Sequence, residues 1–330
     1  MDDLPAFDHL LIVPHLRVQN ANAISSPLTH GFPSMSAFLG LMWALERKAR
    51  AAGLDLQFNA VAVVAHDHQE QVTDSKFVKA FRLTRNPNDK DGKPAAIVEE
   101  GRIHLEISLI LAVQGPALSA DAEHNARLAR QIQALLLQMR IAGGSVIPTD
   151  TGSGRHTPWV LPLTGDQQDR DELFRAILWR LLPGFVLVER ADLLEQRHSE
   201  LLERDPNASR LDAWLSLSRI NWRAPDLDEA SDSNTKRSWL NDRQNLGWVT
   251  PIPVGYGALS ELHPPGSVTN ARDNTTAFRL VESLFSIGQW ISPHRLRSAE
   301  DLLWYADTDA EQGLYRCRNR YQAAIDYSFD

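Results

Sequence analysis

The fold is decided by the stretch Arg102-Ile-His-Leu-Glu-Ile-Ser-Leu-Ile-Leu-Ala-Val113. Apolar residues alternate through it from Ile103 to Val113, and His104 and Glu106 fall between them. A period of two is that of a β-strand, because successive side chains of a strand point to opposite faces of its sheet. The stretch therefore predicts a strand with one apolar and one polar face.

The segments around this strand predict the rest of a small sheet. In chain order they are a strand over 9–18 in which Pro14 marks an edge position or a bulge, a helix over 34–52 capped by Ser34, a buried strand over 58–65, a helix over 121–141 stopped by Gly143, and a short strand near 145–148. Residues 185–188 could replace 145–148 as the fourth strand. The order strand, helix, strand, strand, helix, strand (βαββαβ) predicts an α+β fold with a ferredoxin-like unit, which is also the architecture of the RRM family of RNA binders.

The connection between the second and third strands is unusually long. It covers residues 66–101, whereas most connections have about 4–6 residues. Within it, residues 75–98 hold six bases against two acids, a net charge of +4. Such an insertion could lean on nucleic acid with its bases on phosphates and its aromatic residues on bases, or it could be an ordinary solvated hairpin.

The second half has a less regular pattern. It predicts helices over 170–182, 191–204 and 209–219, a polar loop over 224–236, and short strands and turns after residue 246. We therefore divide the chain into an RRM-like domain over 1–150, with the insertion at about 66–101, and a mixed helical and β region over 151–330 that completes the fold and the subunit interfaces.

The charge distribution qualifies the total charge. The net charge is −8 and the pI is about 5.8, which argues against a free-standing, non-specific nucleic-acid binder. However, residues 9–45 and 124–149 contain no acid, and acids concentrate elsewhere. The chain is therefore an acidic protein with local surfaces that could accept a polyanion.

Two polar segments are candidates for contacts to such a partner. The segment over 19–26 offers uncharged amides and hydroxyls, which suit base edges or sugar hydroxyls but also suit a capped strand-to-helix loop. The second segment, over 143–145, is Gly-Gly-Ser, which would let a backbone approach closely or would end the preceding helix.

Enzyme motifs are weak in this sequence. His66-Asp67-His68 follows a strand, but no further His and Asp set of suitable spacing completes a metal site, and there is no P-loop or Gly-x-Ser-x-Gly motif. Arg316 and Arg318 could lower the pKa of the single cysteine, Cys317, although an incidental thiol is the simpler interpretation. We expect no metal and no cofactor. One cysteine, no secretory leader and no long apolar run indicate a cytoplasmic protein without a membrane span.

A set of motifs over nearly the whole chain resembles one known family. They are Gln19-Asn-Ala-Asn-Ala-Ile-Ser-Ser-Pro-Leu28, Gly31-Phe-Pro-Ser34, Leu83-Thr-Arg-Asn-Pro87, Ala95-Ala-Ile-Val-Glu-Glu-Gly-Arg102-x-His104-Leu-Glu106, Ala142-Gly-Gly-Ser145, Arg180-Leu-Leu-Pro-Gly-Phe185, Ser218-Arg-Ile-Asn221, Gly247-Trp248-x-x-Pro251-Ile-Pro253, Asn270-Ala-Arg-Asp273 and Ser292-Pro-His-Arg295. In this order they resemble the Cas-five-type subunit of type I-F CRISPR surveillance complexes, the second protein of the Csy set. No match is claimed near 149–168, over 222–245 or after about 313.

The resemblance implies a non-catalytic RNA-binding subunit. In that family it pairs with the large subunit at the tail of the complex, holds the 5′ handle of the CRISPR RNA (crRNA), adjoins the backbone subunits and reaches target DNA through the complex. The insertion then corresponds to the family's thumb. Because relatives in another CRISPR subtype cleave RNA, a crRNA-processing endoribonuclease is the alternative.

The residues expected to carry these roles fall into four groups. Gln19, Asn20, Asn22, Ser25 and Ser26 are expected on handle nucleotides; Arg82, Arg85, Asn86, Lys90 and Lys93 on phosphates; Arg140, Gly143, Gly144 and Ser145 on a second stretch of RNA backbone; and Asn270, Arg272, His294 and Arg295 on RNA or the large subunit. No catalytic residue is expected.

Overall fold

The computed structural model describes residues 4–75, 78–82, 92–93, 100–148, 154–223, 239–243, 245–269, 271 and 273–323. The fold is α+β, as predicted. The described residues form five α-helices: α1 Met35–Ala51, α2 Ala122–Leu136, α3 Gln167–Ile177, α4 Ala191–Leu202 and α5 Arg210–Leu217. They also form the strands β1 His9–Asn22, β2 Ile24–Ser26, β3 Thr29–His30, β4 Gln57–Glu70, β5 Val72–Asp74, β6 Lys79–Phe81, β7 Arg102–Gln114, β8 Arg140–Ile141, β9 Gly144–Ile147, β10 Trp159–Pro162, β11 Phe185–Glu189, β12 Trp222–Arg223, β13 Leu240–Asn241, β14 Trp248–Ala258, β15 Val281–Ile291, β16 Trp304–Asp309 and β17 Leu314–Asn319.

One large antiparallel sheet organises these strands. Its order is β11-β15-β14-β17-β16-β4-β7-β1-β9-β8, so it includes strands on both sides of residue 150. Four neighbouring strands, β9-β1-β7-β4, are the predicted fourth, first, third and second strands of the βαββαβ order. Residues 144–147 therefore take the place beside β1, whereas β11 pairs with β15 and β4.

β1 is longer than predicted and contains two irregularities. Its register with β7 shifts between Val13 and Leu16, where His15 has a φ of 50°. Pro14 lies in this shift, because a proline cannot donate to a ladder and is tolerated within a sheet at a bulge. The second shift falls between Val18 and Ala21, so Gln19 and Asn20 lie in an irregular part of the strand, where a bulge bends the chain.

Helices cover both faces of the sheet along much of β7. Ile107, Leu109 and Leu111 belong to the core beneath α1 and α2, while Ile110 and Ala112 belong to a second core beneath α3. The predicted polar face of β7 is therefore open only near its start, at His104 and Glu106. This end of the sheet is the part that a ligand can reach.

The region after residue 246 was predicted as short strands and turns. β16 and β17, with six residues each, fit that prediction, whereas β14 and β15 have 11 residues each and are longer than predicted, because the sequence punctuation by Pro251 and Pro253 does not break β14. Both prolines lie before Gly255, where the pairing of β14 with β17 begins, so they interrupt only the unpaired edge. Because β4 also pairs with β11 and β16, the strands β4, β11, β15, β14, β17 and β16 close into a ring.

The helix boundaries are otherwise close to the predicted ones. α1 begins after Ser34, whose side chain accepts from the Ser36 N–H, and the ends of α4 and α5 lie within two residues of the predicted ones. α3 starts three residues earlier than predicted and ends five residues before 182, because a 3₁₀ turn over Leu178–Leu181 follows it. α2 ends at Leu136, so the prediction of a helix to residue 141 was wrong: β8 starts at Arg140 and forms a hairpin with β9. The predicted loop over 224–236 lies outside the described residues. No helix in the described residues is long and apolar enough to cross a membrane.

Candidate nucleic-acid interface

The polar segment after β1 folds into a compact turn. Asn22 Nδ2 donates to the Ile24 carbonyl at 2.7 Å, and Asn22 Oδ1 accepts from the Ile24 N–H at 3.0 Å. Ser25 Oγ and Ser26 Oγ lie 2.8 and 2.6 Å from Thr29 Oγ1. Ser26 is buried, while Asn22 and Ser25 are on the surface of the turn. These hydrogen bonds are those of a capped loop, and of these three predicted nucleotide contacts only Asn22 and Ser25 have accessible side chains.

Gln19 and Asn20 lie at the second irregularity of β1. Both are exposed, and Asn20 has a φ of 58°, a left-handed conformation that asparagine tolerates better than most residues. The Asn20 N–H donates to His104 Nδ1 at 3.1 Å, which leaves the proton of that ring on Nε2. Gln19 and His104 therefore border the open end of the sheet face.

A concave surface of about 480 Å³ covers this open end; we call it the sheet-face surface. It is lined by Arg17, Val18, Gln19, Asp67, His68, Gln69, His104, Leu105, Glu106 and Ile147. Its polar groups come from β1, β4 and β7, three neighbouring strands whose side chains share one face. It presents both donors and acceptors, and it holds charges of both signs.

The β8–β9 hairpin explains the Gly-Gly-Ser segment. Ala142 and Gly143 have φ values of 47° and 80°, as in the two-residue type I′ turn of a tight hairpin. A Cβ on Gly144 would lie 2.6 Å from the Ala21 backbone nitrogen, so only glycine fits against β1 there. The backbone approach predicted for this segment is thus made to β1 itself, and Gly143 is a turn residue rather than the stop of α2. Arg140 and Ser145, which pair across the hairpin, are both exposed.

A groove of about 630 Å³ runs between α1, this hairpin and the C-terminal strands; we call it the strand-end groove. Four predicted residues line it, namely Asn22, Ser25, Arg140 and Gly143. They come from positions more than 110 residues apart in the chain and meet because β9 pairs with β1. Arg140 is the only charged residue among the described residues that line the groove.

Three aromatic side chains complete the strand-end groove. Trp43 of α1 is 39% exposed, Tyr256 of β14 is 40% exposed, and Tyr315 of β17 stacks on Tyr256 with a ring-centroid distance of 6.3 Å. Burial raises the pKa of the Tyr315 phenol above its usual value, so it stays neutral. Sequence reasoning missed all three. The only local signal was Trp43, which lies outside the apolar stripe of α1.

Gly40 forms an open part of the same groove. A Cβ added to it would meet nothing within 4 Å, although glycine inside a helix costs about 1 kcal/mol relative to alanine. No packing contact explains this glycine. It leaves the groove wider at the expense of helix stability.

The basic insertion is only partly described. β5 and β6 form a short hairpin at its base, and Arg82 follows it with an exposed side chain and its N–H bonded to the Gln71 carbonyl at 3.0 Å. Lys93 is exposed. The predicted phosphate contacts Arg85, Asn86 and Lys90 lie outside the described residues, and so do Asn270 and Arg272.

The last predicted pair lies elsewhere. His294 and Arg295 form a short 3₁₀ turn after β15, and His294 Nδ1 lies 2.9 Å from Ser292 Oγ. Arg295 lines a separate cavity of about 390 Å³ together with Arg190 and Arg297. Neither residue lines the strand-end groove or the sheet-face surface.

Comparison with known proteins identifies the family of this chain. The family model described as "CRISPR-associated protein (Cas_Csy2)" matches residues 11–317. The chain belongs to the Csy2 family of CRISPR-associated proteins. It is 45% identical to "CRISPR-associated protein Csy2" of Pseudomonas aeruginosa (strain UCBPP-PA14) over 311 residues, which cover 93% of this chain and 94% of that relative. The resemblance stated from the sequence motifs is thereby confirmed.

The remaining candidates from the sequence are Cys317 and the His66-Asp67-His68 segment. Burial raises the pKa of the Cys317 thiol to about 12, so the suggestion that its arginine neighbours lower that pKa was wrong. Among the described residues, no group of three or more His, Cys, Asp or Glu side chains could hold a metal ion. The His66 ring turns inward instead, with Nδ1 donating to the Pro183 carbonyl at 2.6 Å and Nε2 at 2.7 Å from Ser108 Oγ.

Proposed function

We propose that this Csy2-family chain is a non-catalytic subunit of a type I-F CRISPR surveillance complex and binds the 5′ handle of the crRNA. In the proposed assembly it pairs with the large subunit at the tail and adjoins a backbone subunit. It reaches target DNA through the complex, and it works in the cytoplasm.

The strand-end groove is the observation that carries the RNA-binding part. A cationic side chain, stacking aromatic rings and neutral polar groups line one concavity that lacks carboxylates among its described residues. Arginine binds phosphate, rings stack on bases for about 1–3 kcal/mol each, and amides and hydroxyls read base or sugar edges. A short single-stranded RNA segment is the ligand that uses all three.

The strand order supports an RRM-like unit. β9-β1-β7-β4 have the order and the antiparallel neighbours expected of a βαββαβ sheet. RRM domains bind RNA on the open face of their four-stranded sheet. In this chain that face is the sheet-face surface, where Arg17, Gln19 and His104 offer donors. A path for RNA from this surface around the end of β1 into the strand-end groove follows from the proposal.

The nuclease alternative would need accessible acid and base groups. His15 is 1% exposed, its Nδ1 lies 2.7 Å from Glu106 Oε1, and its Nε2 accepts from Arg155 Nε at 2.8 Å. His66 stacks on His15 and also has both ring nitrogens occupied. Burial lowers the pKa of both rings, so they are neutral near pH 7. These two histidines serve packing, which favours the non-catalytic role.

The binding test uses the chain co-purified with the large subunit and a fluorescent 5′-handle RNA. Arg140→Glu should weaken binding about 10- to 100-fold, because it removes a charge-assisted phosphate contact and adds repulsion. It should also flatten the salt dependence, since each lost phosphate contact on single-stranded RNA lowers the slope by about 0.7. The matched control is Arg204→Glu, an exposed arginine next to the end of α4.

Two further measurements complete the test. Reversing Arg82 and Arg85 together should likewise weaken handle binding and flatten its salt dependence; an unchanged slope would put the RNA elsewhere. Incubation of the same pair with repeat RNA, without a dedicated nuclease, should leave the RNA intact. Discrete cleavage at the handle boundary that histidine substitutions abolish would favour the nuclease.

A further inference from the structure

A further cavity, of about 420 Å³, opens beside the base of the insertion. We call it the aromatic cleft. One wall carries Phe32, Phe185, Trp248 and Trp290, and the rim carries Asp67 and Glu70. It shares Asp67 and His68 with the sheet-face surface, but Phe185, Trp248 and Trp290 of its aromatic wall belong to β11, β14 and β15, and Phe32 lies just before α1.

The aromatic wall is continuous and partly exposed. The Phe185 and Trp248 rings are 5.7 Å apart, and Trp248 and Trp290, which face each other across β14 and β15, are 5.9 Å apart. Trp248 is 54% exposed and Phe185 is 44% exposed. Large rings left open in a concave site mark a surface that a ligand or partner covers.

The rim makes this cleft electrostatically unlike the strand-end groove. Asp67 is exposed, with Oδ1 accepting from the His68 N–H at 2.8 Å, and Glu70 Oε1 lies 3.3 Å from His30 Nδ1. No lysine or arginine is among the described residues that line the cleft. The third histidine there, His66, has both ring nitrogens bonded within the protein. The cleft therefore offers aromatic faces and two carboxylates to a cation.

We propose that the aromatic cleft receives an arginine side chain from a neighbouring protein subunit. A guanidinium stacks on tryptophan, and its planar fork of donors matches a carboxylate. One arginine can therefore interact with both the aromatic wall and the acidic rim of the cleft. RNA fits less well, because its phosphates would lie beside Asp67 and Glu70 and, unlike the sheet-face surface with Arg17, the described residues of the cleft include no lysine or arginine to offset these charges. Arginine is also among the residues that dominate the energetics of protein interfaces.

The chemistry of the cleft is tested on the isolated full-length chain. The probes are the peptide acetyl-Gly-Arg-Gly-amide and its citrulline counterpart, which keeps the shape and lacks the charge, with tryptophan indole signals followed by NMR. The arginine peptide should bind at least about tenfold more tightly than the citrulline peptide. Equal affinities, or a stronger response to cytidine monophosphate than to the arginine peptide, would overturn the proposal.

Matched variants locate the effect. Asp67→Asn with Glu70→Gln keeps the shape of the rim and should abolish the preference for arginine, whereas Glu261→Gln with Glu282→Gln removes the same charge at the far end of β14 and β15 and should not. Trp248→Ala should also abolish binding, and Trp179→Ala, another exposed tryptophan, should leave it unchanged. A preference that survives the rim variant would contradict the assignment.

That another subunit supplies this arginine rests on the assembly proposed above. Glu70→Gln alone changes the rim at a residue that does not line the sheet-face surface. Co-expressed with the other subunits, this variant should give a lower yield of complex by native mass spectrometry, while the pair of this chain with the large subunit still binds the handle RNA. Normal yield would overturn the partner assignment. If the unchanged chain neither binds handle RNA nor assembles, the proposed function fails, and the peptide measurement still decides the chemistry of the cleft.

Discussion

The strand-end groove and the aromatic cleft are both lined with aromatic rings, and they differ in charge. The groove holds Arg140 and no carboxylate, whereas the cleft holds Asp67 and Glu70 and no lysine or arginine, among the described residues that line each. Aromatic faces attract bases and guanidinium groups alike. The charge beside the rings therefore decides which partner each concavity suits. The negative net charge of the whole chain predicts neither partner.

The two regions also differ in how they are built. The groove depends on a two-stranded hairpin that fits only because Gly144 has no side chain. The cleft rests on β14 and β15, which pair over ten positions. The groove should thus be the easier of the two to disrupt, and substitutions should separate them.

The largest difference in effect between the two regions is expected from Gly144→Ala. The added Cβ would lie 2.6 Å from a backbone nitrogen of β1 that cannot move freely, so we expect the free energy of unfolding to fall by about 2 kcal/mol. Handle binding should weaken with it, while arginine-peptide binding at the cleft persists. Urea unfolding checks the stability, with Gly154→Ala as control because its Cβ would meet nothing within 4 Å. Equal stability of the two variants would contradict this view of the hairpin.

A smaller effect of opposite sign is expected from Gly40→Ala. Its Cβ enters open space within α1, so the free energy of unfolding should rise by about 1 kcal/mol. The same methyl narrows the strand-end groove, so handle affinity should fall, which is a trade of stability against binding. A rise in both quantities, measured by urea unfolding and RNA anisotropy, would show that the space in front of Gly40 serves no ligand.

The smallest effect is expected from lowering the pH, which should reduce the free energy of unfolding. His66 lines the cleft and not the groove, and burial lowers its pKa from 6.5, as it does that of His15. Below pH 6.5 the unfolded chain then binds more protons than the folded chain, so stability should fall as the pH decreases and stay level above it. His66→Gln should reduce this slope in urea titrations between pH 5 and pH 8. A slope that the variant leaves intact would assign the titration to other groups.

Much of the first half could be predicted because its signals are local. The alternation of β7, the Ser34 cap of α1 and the order of the first six main elements follow from periods of two and 3.6 and from stop residues. The end of α2 was misplaced because Leu135 and Met139 continue a helical stripe, and only the pairing of Arg140 with Ser145 draws the following residues into a hairpin.

The site was predicted in part for the same reason. Gln19, Asn22 and Arg140 were identifiable as polar groups in acid-free segments. That Asn22 and Arg140 line one concavity with Tyr256 and Tyr315 could not be read from the chain, because it depends on strand pairings that join residues more than 50 positions apart. No local pattern reports such pairings.

The sequence by itself determined the α+β class, the family and the acid-free segments, because composition, periodicity and ordered motifs are properties of neighbouring residues. The tertiary structure alone decided which strand lies beside β1, how the ring of strands closes on β4, and which aromatic rings meet which charges. These follow from burying both faces of one sheet at once, a condition that the whole chain must satisfy together. The contrast between the strand-end groove and the aromatic cleft is a product of that condition.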